Sequence, residues 1–234
     1  MNNVQKTIGI IGGMGPLATA DLFSKLINMT DAGCDAEHIH IIIDNNPSTP
    51  DRTRAILNGT ESPLPYLTAS ARKLEGIGAD FLIIPCITSH YYIDKLRASI
   101  DIPVISIIEE TARELLKQGI TKVALLATDG TGKSGVFDKV FCDVGIEILY
   151  PSAEAQKNLM GVIYQGVKAG KDIYDTSVLN SDIHRIESEG AEAVILGCTE
   201  LPLAAKMYGI DGNLIDPTDI LAKAAIKYAG YKIK

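Results

Sequence analysis

No tryptophan, no cluster of basic residues, no C-x-x-C pair and no apolar run long enough to cross a bilayer occur in these 234 residues. Each absence removes a class of function. Lys and Arg number 22 against 29 Asp and Glu, a formal charge of −7. With no basic block, the chain offers neither a nucleic-acid footprint nor an anchor for an anionic membrane surface. The opening segment MNNVQKTIGIIGGMG carries one lysine, and glycines soon break its apolar run. It is too short for a secretory h-region or a membrane span, so a cytoplasmic protein is expected. The four cysteines, Cys34, Cys86, Cys142 and Cys198, are too few and too scattered for a disulfide framework or a metal knuckle. What is present is ordinary globular composition, 46% hydrophobic and 22% charged. A chain of this length can bury a full core without staples.

Short β-branched runs bounded by Gly, Pro or Asp alternate with amphipathic segments. Thr7–Gly12, Ile39–Asp44, Phe81–Pro85, Val104–Ile107, Val123–Ala127, Ile146–Leu149 and Val194–Gly197 read as buried strands. Helices are expected over Pro16–Met29, Tyr66–Ile77, Tyr91–Ile100, Glu109–Gln118, Gly135–Val144, Ala155–Lys168, Val178–Glu189 and Asp219–Ala229, the first with Pro at its first position and Leu17, Ala20, Phe23 and Ile27 on its apolar face. Strand and helix in alternation predict an α/β protein with parallel sheets and right-handed crossovers.

The halves also resemble each other. Each opens with a strand entering a Gly/Thr-rich turn (TIGIIGGMG, KVALLATDGT) and later has a strand running into a cysteine (FLIIPC, AVILGC). Ile8 to Cys86 is 78 residues and Val123 to Cys198 is 75. The expectation is two similar α/β domains related by a pseudo-twofold axis. The first spans residues 1–104, with the last helix, in 215–234, packing back on it; the second spans 105–214.

Ligands of parallel α/β sheets sit beyond the carboxyl ends of strands, where both Cys86 and Cys198 fall. Facing each other across a cleft between the halves, the two thiols would address opposite faces of one carbon. That is the geometry of inversion: one thiolate removes the Cα proton and the other thiol returns one. A helix N-terminus after each cysteine would favour the thiolate. The competing reading of a strand-end cysteine is a small core hydrophobe. Cys34, in a polar loop, and Cys142, on a helix, lack such a setting and read as structural.

Thr88 and Thr199 each follow a candidate base and offer donor and acceptor, or else cap the next helix. His90 and Glu200 trail the two cysteines and would tune the thiols or relay protons, or serve as helix-surface and capping groups. Arg52, where a polar loop becomes a helix, has the fork that pairs with carboxylates, although a solvated loop arginine fits as well. Lys168 lies beside a core stripe, where a surface lysine is equally ordinary. The turn Gly12-Gly13-Met14-Gly15-Pro16 meets the loose dinucleotide pattern Gly13-x-Gly15-x-x-Ala18, with Asp44 ending the next strand as a ribose acid. Pro16 removes one N–H that a pyrophosphate would use, and a dehydrogenase leaves the paired cysteines unexplained.

The segments GIIGGMGPLAT, PSTPDRTRAIL, IPC-x-T-x-H and GCTELP together resemble the aspartate/glutamate racemase family, nearest its aspartate racemase branch, over nearly the whole chain. The resemblance implies two similar α/β domains with the site between them, Cys86 and Cys198 as the acid/base pair, and neither pyridoxal phosphate nor a metal. It implies that Arg52 and Lys168 handle substrate carboxylate or charge, that the Met14 turn lines the site, and that the protein is a homodimer acting on a small amino acid. Most family members carry an asparagine after the first cysteine; here that residue is Ile87. Isoleucine neither donates nor accepts a hydrogen bond, so Thr88, Ser89, backbone N–H groups or Thr199 must hold the substrate. Glutamate racemase, hydantoin racemase and maleate isomerase are the alternatives within the superfamily; outside it stand a dinucleotide-dependent dehydrogenase and a non-catalytic anion-binding module.

Overall fold

The computed structural model describes residues 5–234. Met1–Val4, which open the segment weighed above as a leader, lie outside the described residues. Two compact units divide the chain: one runs to Glu110 and regains Thr218–Lys234, and the other is Thr111–Pro217. These divisions fall six and three residues later than the expected ones. The strand β4 (Val104–Ile105) ends the first sheet, and the helix Ile107–Lys117 then carries the chain across the boundary. A strand absent from the sequence reading, β8 (Leu214–Ile215), keeps the second unit going to Pro217. Two residues carry no periodic signal.

The first sheet contains β1 (Ile8–Gly12), β2 (Ile41–Asn45), β3 (Phe81–Ile83) and β4, in the order β2-β1-β3-β4. The second contains β5 (Lys122–Ala127), β6 (Glu147–Leu149), β7 (Ala193–Gly197) and β8, in the order β6-β5-β7-β8. Every pairing is parallel. The two units therefore repeat one topology. β1, β3 and β7 are buried along their whole length, as expected of strands covered on both faces. β3 stops pairing at Ile83, short of the expected Pro85, where proline brings no N–H to the ladder.

Several helices differ from expectation in instructive ways. The first is Pro16–Met29, with Pro at its start. Its buried side is Ala18, Thr19, Leu22 and Leu26, whereas Leu17, Ala20, Phe23 and Ile27, expected inside, are exposed. Both stripes have helical spacing, and close approach decides between them: a Cβ on Gly12 would collide with the Thr19 side chain, so strand and helix meet there. The expected helix Ala155–Lys168 is an α-helix over Ala153–Gly161 followed by a π-helical turn, Val162–Val167. The expected helix Tyr91–Ile100 is a 3-10 segment, Ile87–Tyr92, and a short α-helix, Ile93–Arg97.

The C-terminal helix Pro217–Tyr228 starts at the close of the second unit, and its body packs in the first. Lys25 Nζ lies 2.9 Å from the Asp219 carboxylate, and Tyr228 meets Phe81 edge to face at 4.8 Å. Among the described residues no helix is long and apolar enough to cross a membrane.

Candidate active site

In each sheet the chain leaves the first central strand toward one edge and the second toward the other. The switch point lies between β1 and β3, and again between β5 and β7, and loops diverge there to leave a ligand crevice. Cys86 lies three residues beyond β3, and Cys198 directly follows β7. Both are buried free cysteines. Cys34 and Cys142, read above as structural, are exposed instead and fill no core position.

In the first unit seven of the candidate residues gather around two loops. Cys86 precedes the 3-10 turn Ile87–Tyr92, in which Ile87, Thr88, Ser89 and His90 are all buried. The Ser89 hydroxyl donates to Met14 Sδ at 3.4 Å, which ties this turn to the loop after β1. Arg52 reaches the same loop: its Nη2 donates to the Met14 carbonyl at 3.1 Å, and its Nη1 to the carbonyls of Thr49 and Pro50 at 3.3 and 3.2 Å. Arg52 is only 9% exposed, so this arginine organises two loops, which a solvated one would not do. Asp51 sets it at the start of helix Arg52–Asn58 by accepting the Arg54 N–H at 2.7 Å, an N-cap.

The second unit gathers the other four. The Cys198 thiol donates to Glu200 Oε2 at 3.0 Å, and Lys168 Nζ lies 3.3 Å from Glu200 Oε1. The Thr199 hydroxyl also approaches Oε2, at 3.4 Å. Burial first, and the Glu200 charge next, push the Cys198 thiol well above its usual range, with Lys168 pulling the other way. This corrects the expectation that the following helix would favour the thiolate. That helix is only Leu201–Ala204, and desolvation beside a carboxylate outweighs it.

The π-helical turn explains how Lys168 reaches Glu200. Its N–H bonds the carbonyl of Ile163, five residues back, so the turn is wound one residue wider than an α-helix. Two glycines leave room for tyrosines to pack on this segment: a Cβ on Gly161 would run into the Tyr174 hydroxyl, and one on Gly166 would press on Tyr208. Tyr164, four residues before Lys168, lies under its ammonium with the ring centre 5.2 Å away. That i,i+4 spacing was legible in the sequence and was overlooked.

Thr19 was overlooked too. Its hydroxyl accepts the Gly13 N–H and donates to the Gly15 carbonyl, both at 3.0 Å, and so closes the glycine turn. Gly13 has φ +91°, and a Cβ there would strike the Asn46 backbone. The turn is thus packed against its own chain at Gly13. Asp44, the would-be ribose acid, is engaged by Lys73 at 2.7 Å. Among the described residues no group of three or more His, Cys, Asp or Glu has the arrangement to hold a metal ion.

Comparison with known proteins agrees with this fold. The chain is 26% identical over 230 residues to the broad specificity amino-acid racemase RacX of Bacillus subtilis (strain 168), covering 96% of this chain and 99% of that one. The solved aspartate racemase of Picrophilus torridus superposes with a TM-score of 0.83 at 33% identity, covering 98% of this chain and 96% of that one. An aspartate racemase homologue from Pyrococcus horikoshii OT3 gives a TM-score of 0.77 at 28% identity, covering 96% and 99%. Residues 11–225 match the Asp/Glu/Hydantoin racemase family. With nearly all of both repeated units inside that match, the chain belongs to the Asp/Glu/Hydantoin racemase family and is an amino-acid racemase.

Proposed function

We propose that this racemase interconverts L- and D-aspartate by proton transfer between two cysteines, without a cofactor. The observation that carries the reading is the repetition: two sheets of one order each bring a buried free cysteine to the end of the same strand. A core role explains one such cysteine and gives no reason for a matched pair. Cys86 as thiolate takes the Cα proton, the electron pair passes into the substrate carboxylate as an ene-diolate, and Cys198 delivers its proton to the opposite face. The reverse reaction runs with the roles exchanged. Cys198 suits the donor role when the cycle starts from Cys86, because burial and Glu200 hold its proton in place.

The carboxylates of aspartate need cationic partners, and Arg52 and Lys168 supply one in each unit. Thr88, Ser89 and Thr199 orient the ammonium and carboxylate, with the backbone of the Met14 turn beside them. The similarity to an aspartate racemase at 33% identity supports the acidic substrate. A second reading, a broader set of amino acids, is favoured by Ile87, which is 2% exposed and brings no polar group beside Cys86. The similarity to a broad specificity racemase supports it as well. The proposal includes a cytoplasmic homodimer, the dimer on the family resemblance, and no nucleic-acid partner, since the sequence carries no basic block; sedimentation of the purified protein tests the dimer.

Single enantiomers of Asp, Glu and several neutral amino acids, incubated with purified protein in D₂O without added cofactor, test the activity. Racemisation of aspartate with deuterium at Cα supports the first reading, and comparable rates across the neutral set support the second. No inversion of any of them refutes both.

A further inference from the structure

The chemistry above makes no use of His90, although it is 3% exposed and lies four residues after Cys86. Its two ring nitrogens meet two backbone groups of opposite character. Nδ1 lies 3.2 Å from the Cys86 carbonyl, which can only accept. Nε2 lies 3.3 Å from the Ile107 N–H, which can only donate. One tautomer satisfies both: neutral imidazole with its proton on Nδ1. Protonation would put an N–H against the Ile107 N–H. Burial, with the Arg97 charge adding to it, brings the ring to about pKa 4, in line with this neutral tautomer.

Each backbone group matters. The Cys86 carbonyl also accepts the Ser89 N–H at 3.2 Å, so two donors fix the peptide plane that follows the cysteine. Cys86 sits at φ −69° and ψ 108°, and holding that plane holds the backbone from which its side chain projects, leaving the thiol only its χ1 rotamers. Ile107 opens the helix Ile107–Lys117, and the first N–H groups of a helix have no partner inside it. This helix takes the chain from the first unit into the second at Glu110–Thr111. The imidazole therefore joins the cysteine loop to the root of the connecting helix.

We infer that His90 is a positioning residue for Cys86, a neutral clamp whose Nδ1–H holds the Cys86 carbonyl while its Nε2 caps the connecting helix. The inference rests on the reading of Cys86 as a proton-transfer residue, but the clamp has a consequence that does not depend on turnover. Losing it frees the Cys86 thiol to move and leaves Cys198, in the other unit, as it was.

The test uses the full chain with His90→Asn, His90→Gln and His90→Leu. An asparagine amide reaches the Nδ1 position and can still donate to the Cys86 carbonyl, whereas a glutamine oxygen reaches the Nε2 position and keeps only the cap. Two readouts are taken: kcat and KM for aspartate racemisation, and the rate at which iodoacetamide alkylates Cys86 and Cys198, resolved by peptide mass spectrometry. His90→Gln and His90→Leu are expected to lose about tenfold in kcat, the equivalent of one lost hydrogen bond, with KM little changed. Cys86 should alkylate several-fold faster in both, with Cys198 unaffected, and His90→Asn should recover most of both effects. If His90→Leu does not fold, the Asn and Gln pair carries the same comparison. Equal losses in Asn and Gln, or wild-type kinetics and alkylation in Gln, overturn the clamp. If no protein racemises but Cys86 alkylation separates Asn from Gln as stated, the clamp stands and the two-cysteine function falls.

Discussion

The Cys198 thiol donates a hydrogen bond to Glu200 Oε2 across 3.0 Å, while the other oxygen of that carboxylate faces Lys168 at 3.3 Å. One carboxylate thus takes both the thiol hydrogen bond and the ammonium. Burial and this carboxylate hold the thiol above its ordinary range, and Lys168 opposes them. Glu200→Gln removes the raising charge and leaves Lys168 unopposed, so the thiol becomes more acidic. The cycle that starts from Cys86 needs Cys198 protonated, and the alkaline limb of its kcat/KM profile should move to lower pH by about one unit or more. A limb that stays in place, measured for both enantiomers, would show that Glu200 does not govern the thiol.

The packing around the π-helical turn before Lys168 depends on a missing methyl group. Gly161→Ala sets a Cβ against the Tyr174 hydroxyl. Overpacking of this kind costs about 1–3 kcal/mol, and for a chain of this size each kcal/mol lowers Tm by about 2–4 °C. The double variant Gly161→Ala, Tyr174→Phe relieves part of the clash and should regain part of the loss. Calorimetry on the two proteins reads this directly; a single variant with unchanged Tm would mean that the turn tolerates the methyl.

Buried His90 makes a pH-dependent contribution to stability. Its folded pKa of about 4 lies below the ordinary value of 6.5, chiefly through burial, with the hydrogen bond to the Cys86 carbonyl opposing and Arg97 adding to the fall. The unfolded chain therefore takes up the proton first. The stabilisation is complete above about pH 6.5 and disappears as pH falls toward 4, a loss on the order of 3 kcal/mol at the lower end. His90→Gln cannot titrate and should show a shallower fall between pH 7 and pH 4 in urea denaturation. Parallel curves for the two proteins would contradict this.

At Ile87, a buried apolar side chain follows the first cysteine. Ile87→Asn restores a donor and an acceptor there and should shift the ratio of aspartate to neutral amino-acid turnover several-fold. Unchanged ratios across the same panel would remove this residue from the substrate's surroundings.

Much of this arrangement was legible in the sequence for definite physical reasons. Buried parallel strands announce themselves as β-branched runs, and the proline of Pro16–Met29 fixed the start of a helix at its true position. The two cysteine turns stood out because each follows such a run. Other features were hidden. The inner face of Pro16–Met29 was misread because two apolar stripes share one helix, and only the fit of Thr19 against Gly12 separates them. The packing around the π-turn was invisible because its contacts, Tyr174 and Tyr208 against Gly161 and Gly166, are tertiary. The role of His90 depends on Ile107, seventeen residues away, and no local pattern reports that bond.

The most direct test of the two-thiol account follows inversion of single aspartate enantiomers in D₂O by the wild type, Cys86→Ala and Cys198→Ala, with no cofactor added. The account predicts that in early wild-type turnover the product enantiomer carries deuterium at Cα and the remaining substrate does not. It also predicts that each alanine variant loses racemisation in both directions by roughly 1,000-fold or more, within the range for removing a general acid or base. Either variant turning over both enantiomers at near wild-type rates would contradict it.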